Sequence, residues 1–231
     1  MWLVLARHGQ TDDNLQGIIQ GHKDTPLNDW GRFESARLAG ALRTVTITEA
    51  YTSPLSRASE TASIALRHRP EITIHEHPGL KERGLGSWEG RRPPRKEPTP
   101  ADAEGYESLT LRSKLWFDEL LSNHIPPPPP ATESKHRSSV QDADIIFVVS
   151  HGAWLSNFRH LLLSPAYHFK IDRHCNLKAR CINTSISLVY CEYDHAKKKW
   201  TGVLQMWANV EHLRDVLEKE KKVGIADDVG R

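Results

Sequence analysis

The chain has 231 residues and a formal charge of +2, its 31 lysines and arginines nearly balanced by 29 acidic residues and spread along the sequence. That length accommodates one large α/β domain, and the even spread of charge gives no footprint for nucleic acid or a membrane surface. Three cysteines, Cys175, Cys181 and Cys191, are odd in number and not spaced as CxxC pairs, so they read as reduced thiols, not as a disulfide framework or zinc site.

The first predicted element is a strand over Trp2 to Ala6, a continuous apolar run suited to burial on both faces of a parallel sheet. It is too short for a signal-peptide core, and no stretch approaches the roughly 18 apolar residues of a membrane span. A soluble, cytoplasmic protein is expected. The strand leads into Arg7-His8-Gly9, and Asn28 is a predicted N-cap for a helix carrying Phe33, Ala36, Ala39 and Leu42 at helical spacing. Next come a short strand at Ala50-Tyr51-Thr52, Ser53 as N-cap and Pro54 as first helical residue, which places Arg57 in the first turn. A strand at Ile72 to His75 precedes the loop Leu80-Lys81-Glu82-Arg83-Gly84. On that strand His75 and His77 share a face while Glu76 points away, and no third ligand is evident, so these residues are surface groups and not a metal site.

An irregular segment near 84–106 carries four prolines after Arg91 and reads as an excursion above the sheet, followed by a helix over Glu107 to Leu121 with apolar Leu111, Leu115 and Leu120. From Ser122 to Asp144 the chain is polar around Pro126 to Pro130, an extended proline-rich loop; a solvated insertion is favoured there over a docking site for a proline-binding partner. A second apolar strand, Ile145 to Val149, again ends in His-Gly, at His151-Gly152. A helix over Ala153 to Leu163, strands around Ser185 to Cys191 and Val203 to Trp207, and a charged C-terminal helix complete the pattern. Asn183-Thr184-Ser185 matches a glycosylation sequon but is read as chance in the absence of a secretory signal. Strands alternating with helices predict a three-layer, doubly wound α/β fold with a mostly parallel sheet and helices on both faces, formed by residues 1–231 as one domain.

Ligands of open α/β sheets bind beyond the carboxyl ends of the strands. Both His-Gly pairs fall at such ends, where glycine lets the backbone turn sharply and a ligand approach. Arg7, Asn14 and Arg57 can donate to an anion, arginine forks match phosphate oxygens in two-point contacts, and a helix start adds N–H groups and partial positive charge. The combination points to a phosphoryl group.

Arg7-His8-Gly9-Gln10-Thr11 with Asn14, Asp24-Thr25-Pro26-Leu27, Ser53-Pro54-Leu55-Ser56-Arg57-Ala58-Ser59-Glu60-Thr61-Ala62, Leu80-Lys81-Glu82 with Trp88-Glu89-Gly90, and Ser150-His151-Gly152 together resemble the histidine phosphatase superfamily, in the family's order. The resemblance implies a phosphoglycerate mutase-like fold, His8 as nucleophile forming a phosphohistidine, and Arg7, Asn14, Arg57 and His151 as ligands of the phosphoryl oxygens. It implies Glu82 as general acid, with Glu89, seven residues on, as the competing carboxylate. A nearby backbone carbonyl is expected to fix the His8 tautomer.

The segment after Glu82 is similar to phosphatase members, without the lysine-containing stretch of phosphoglycerate mutases, and Trp207 to Leu213 is similar to the ending of fructose-2,6-bisphosphatase-like relatives. Hydrolysis of a small-molecule phosphate monoester is therefore expected, with no metal or other cofactor. The alternatives are mutase-like phosphoryl transfer and a pseudo-enzyme that binds phosphorylated ligands. Gln20, Gly21, Arg91 and Arg92 are candidate substrate contacts, and Arg91, Arg92, Arg95 and Lys96 form a basic cluster suited to a second anionic group. The sequence leaves the oligomeric state open, a homo-oligomer included.

Overall fold

The chain alternates strands and helices: β1 (Trp2–Arg7), α1 (Asp12–Gln16), α2 (Asp29–Ala41), β2 (Glu49–Thr52), α3 (Ser56–Ala65), β3 (Ile74–Glu76), α4 (Tyr106–Asn123), β4 (Ile145–Ser150), α5 (Gly152–Leu163), β5 (Lys170–Ile171), β6 (Ile186–Asp194), β7 (Lys199–Asn209) and α6 (Arg214–Val223). The computed structural model describes residues 1–92, 97–128 and 143–223, the last five of these through their backbone alone. Pro129, Pro130, most of the proline-rich segment, and Arg95 and Lys96 of the basic cluster lie outside the described residues.

The seven strands form one sheet in the order β3-β2-β4-β1-β6-β7-β5. β3, β2, β4 and β1 run parallel, β6 is antiparallel to both β1 and β7, and the two-residue β5 pairs parallel with β7. The predicted fold class is the observed one.

Successive strand residues face opposite sides of a sheet, and the central strands feed two cores. Leu3, Leu5, Ile146 and Val148 pack with α4 and α5 through Trp116, Phe117, Trp154 and Phe158. Val4, Ala6, Phe147 and Val149 pack with α2 and α3 through Leu38, Ala58 and Ala62. Burial on both faces is why these strands read as unbroken apolar runs.

Asn28 caps α2 as predicted, its side chain accepting from the Gly31 N–H. At α3 the expectation shifts by two residues. Ser53 N–H still donates to Val149 O, extending the strand ladder, so the turn falls at 54–55 and Leu55 is the N-cap. Leu111 and Leu115 keep their helical spacing on α4 but face solvent, leaving Leu109, Trp116, Phe117 and Leu120 to make the buried face. Among the described residues no helix is long and apolar enough to cross a membrane.

Candidate active site

Parallel pairing of β1 with β4 puts Arg7 opposite Ser150, so His8 and His151 leave the sheet at the same level. His8 N–H donates to Ser150 O at 3.0 Å, and the two imidazoles lie with centroids 5.1 Å apart. Neither Gly9 nor Gly152 has a positive φ. A Cβ on Gly9 would come within 2.5 Å of Gly31 O, so this glycine serves close packing of the corner against α2, where the sequence led us to expect ligand approach.

His8 is buried, and its Nδ1 lies 2.7 Å from Gly9 O. A carbonyl only accepts, so Nδ1 carries the hydrogen and Nε2 keeps its lone pair. Burial, then the charges of Arg57 and Arg7, hold the His8 pKa well below the usual histidine value against the opposing Gly9 hydrogen bond. His151 is shifted the same way, first by burial and then by Arg57, His8 and Arg7. Both rings are therefore neutral near pH 7. His151 differs in its contacts: among the described residues neither of its buried ring nitrogens has a hydrogen-bond partner.

Arg57 is fully buried, and its guanidinium donates to Lys23 O and Gly21 O, both at 2.9 Å. Burial lowers its pKa to about 10, opposed by Glu82 and Asp24, which leaves it charged at neutral pH. The amides at the start of α3 are used within the protein: Ser56 N–H goes to Asp24, and Ala58 and Ser59 bond to Leu55 O. Of the helix-start donors expected beside Arg57, those of Ser56, Ala58 and Ser59 are therefore already taken, and Arg57 lines the cleft. Arg7 donates to Cys181 O at 2.9 Å.

The two competing carboxylates have separate places. Glu82 lines the cleft and accepts from the N–H groups of Arg83, Ala153 and Trp154, the latter two opening α5. Glu89 accepts from the amides of His22, Lys23 and Leu85, clamping the loop after α1 to the segment after Glu82. It does not line the cleft.

The cleft has a volume of about 580 Å³. It brings together Arg7, His8, Asn14, Gln20, Gly21, Arg57 and Glu82, with Gly152 beside His151. Gln20 is buried with its Oε1 unpartnered among the described residues. Arg91 and Arg92 do not line this cleft; both are exposed, and Arg91 pairs with Glu97 six residues on, which spends its charge locally.

Several residues of the site were not singled out from the sequence. Asn183 Nδ2 donates to His8 O at 2.9 Å and to Asn14 Oδ1 at 3.3 Å, while Thr184 N–H, at a positive φ of 52°, donates to Arg7 O. The Asn-Thr-Ser triplet at 183–185 was visible only as a sequon. Arg112 donates to Gly79 O, Lys81 O and Glu82 O, fixing the loop that presents Glu82. Ser156, Arg159, Arg180 and Trp207 form a further wall of the cleft. Among the described residues no group of His, Cys, Asp and Glu side chains is arranged to hold a metal.

A sheet with two converging His-Gly corners, two guanidiniums and a carboxylate at one cleft is the arrangement of a phosphoryl-transfer enzyme, and the comparisons assign its class: residues 3–126 match the histidine phosphatase superfamily, branch 1. The chain belongs to that superfamily, and its activity is that of a phosphoric monoester hydrolase. It is 40% identical to a probable phosphatase of Schizosaccharomyces pombe over 92% of this chain and 95% of the relative. It is 30% identical to the adenosylcobalamin/alpha-ribazole phosphatase of Salmonella typhimurium over 76% of this chain and 87% of that protein. The mycobacterial glucosyl-3-phosphoglycerate phosphatase, solved in complex with VO3, superposes with a TM-score of 0.69 at 23% identity over 90% of this chain and 99% of the other, a likeness of fold.

Proposed function

We propose that residues 1–231 form one histidine phosphatase domain that hydrolyses a phosphate monoester of a small metabolite through a phosphohistidine at His8, in the cytoplasm. The observation that carries this reading is the Nδ1 contact of His8 with Gly9 O, which turns an uncharged Nε2 lone pair toward phosphorus. Arg7, Arg57 and His151 meet the non-bridging oxygens as charge redistributes in the in-line transition state, and Asn14 adds a polar contact at the same end. The His8 Nε2–phosphorus bond forms as the ester phosphorus–oxygen bond breaks.

Glu82 gives the departing oxygen its proton, then takes one from the water that cleaves the phosphohistidine. Its carboxylate is held in place at the cleft by three backbone N–H groups. The guanidiniums supply the positive field that divalent ions supply in other phosphatases, so no metal is required. The three cysteines are free thiols, which fits a reducing compartment.

The test is a rapid non-acidic quench with labelled substrate. It yields an acid-labile, alkali-stable phosphoryl group on the wild-type protein and none on His8→Ala; label persisting in the variant overturns the assignment. Turnover survives a chelator, vanadate inhibits, and water is the main acceptor. If 3-phosphoglycerate with a trace of 2,3-bisphosphoglycerate gives 2-phosphoglycerate faster than inorganic phosphate, the mutase reading replaces the phosphatase one.

A further inference from the structure

The cleft holds more positive charge than one phosphoryl group uses. Five arginines line it, Arg7, Arg57, Arg83, Arg159 and Arg180, against two carboxylates, Asp13 and Glu82. Asp13 is paired with Lys23 at 2.8 Å, and Glu82 is engaged by backbone amides. Arg7 and Arg57 belong to the phosphate end, and Arg83 is tied down over the Tyr106 ring with its Nε on Glu104 O. The wall formed by Arg159, Ser156 and Trp207 remains, with Arg180 lining the cleft beside it.

Arg159 is half-buried on α5 and held from two sides. Its guanidinium lies 4.4 Å from the Trp207 ring centroid, and its Nη1 donates to Leu177 O at 3.0 Å. Trp207 is itself fixed by its Nε1 on Ala179 O. Among the described residues no carboxylate pairs with Arg159, and no protein acceptor takes its other N–H groups, although a guanidinium carries five. Ser156, one turn nearer His151, faces the same cleft with no hydrogen-bond partner for its hydroxyl among the described residues. A stationary, half-desolvated cation without a counter-charge has a strong preference for an anionic ligand.

The spacing matches a small substrate. Gly152 sits against Arg7, and Arg159 is two turns further along α5, about 10 Å on the helix axis at ~1.5 Å per residue. Helical side chains lean toward the N-terminus, which brings the Arg159 head back toward the phosphate.

Resting on the phosphatase reading above, we propose that Arg159 and Ser156, with Arg180 at the outer edge, form a second anion subsite, and that the substrate is a phosphate monoester whose leaving group carries a carboxylate or a second phosphate. The second anion contact expected of the basic segment after Gly90 thus falls to α5 and the loop before β6.

The test uses substrate pairs that differ in the second group: 3-phosphoglycerate against glycerol 3-phosphate for a carboxylate, and fructose 1,6-bisphosphate against fructose 6-phosphate for a phosphate. In at least one pair the charged member has the higher kcat/KM by about tenfold or more, the scale of a charge-assisted contact, and the pair that responds names the group. Arg159→Gln collapses that ratio toward one, mainly through KM of the charged member, and Arg159→Lys restores part of it because the charge returns. A strut holding only Leu177 and Trp207 would lower both members alike and leave the ratio standing. Arg180→Gln, at an exposed position, lowers the ratio by a smaller factor and carries the test if Arg159→Gln does not fold. Turnover of p-nitrophenyl phosphate with no selectivity in either pair, or a ratio unchanged in the variants, overturns the subsite and leaves the phosphatase standing. No turnover of any ester overturns both.

Discussion

The corners after β1 and β4 are built alike: an apolar strand buried on both faces, a histidine at its carboxyl end, a glycine next, all in register across one parallel pair. They differ in one hydrogen bond. His8 is locked into a single tautomer by Gly9 O, whereas among the described residues the buried nitrogens of His151 have no hydrogen-bond partner. In the proposed mechanism, matched placement with unmatched bonding divides the labour, one ring giving an electron pair and the other stabilising the oxygens around it.

That division predicts unequal losses. His8→Ala removes the bond-forming atom and lowers kcat by roughly 10⁴-fold or more, whereas His151→Ala removes one transition-state contact and lowers it roughly 10²- to 10³-fold while phosphoenzyme can still be trapped. Equal losses, or trapping abolished by both changes, break the comparison. Single-turnover rates with a good leaving group measure it.

The Glu82 change sharpens it from the side of the leaving group. Glu82→Gln slows phosphoenzyme formation from an alkyl phosphate by about a hundredfold and from p-nitrophenyl phosphate far less, because a stable phenolate hardly needs a proton. If Glu89→Gln shows that dependence and Glu82→Gln does not, the clamp and the acid have been exchanged.

The smallest effect concerns what the corners share. Both rings are held neutral, so their folded-state pKa values lie below the unfolded value of about 6.5. In that case the unfolded chain binds more protons, and stability is complete above pH ~6.5 and falls as the pH drops below it, by up to about 1.4 kcal/mol per pH unit for each ring. Urea midpoints between pH 7.5 and 5.5 follow that fall, and His151→Gln makes it shallower. A midpoint that rises on acidification contradicts the neutral pair. The same shift has a different consequence for catalysis: in the native protein kcat/KM stays level just below pH ~6.5, since His8 remains unprotonated there.

What could be read from the sequence was local. The runs at 2–6 and 145–149 announce strands because both faces are buried, and the Asn28 cap lies within three residues of the amide it binds. α1 went unseen because it is five residues long and its capping box uses Asn14 where the familiar pattern has Glu or Gln. Leu111 and Leu115 show that helical spacing gives a period but does not say which face is inside. In the site, the residues flanking the histidines were legible because they accompany them in sequence. Asn183 and Trp207 reach the cleft only through the pairing of β6 and β7 with the rest of the sheet, which nothing in their neighbourhoods encodes, whereas Arg159 follows His151 by about two turns of α5 and was passed over as one more helical charge. Arg91 and Arg92 lie outside the cleft, and a run of charge cannot reveal that Glu97 will pair with Arg91.

β1 is the first strand in the chain, yet its two neighbours are β4 and β6, both made from the far half. During synthesis the segment Leu3-Val4-Leu5-Ala6 therefore has no strand to pair with until most of the protein exists, and loop-closure entropy opposes an early match. His8 and His151 meet only when that late pairing is made. Nascent or truncated chains that end before β4 have no catalytic site and expose a bare apolar strand, so competence for catalysis and release from aggregation risk arrive in the same folding step.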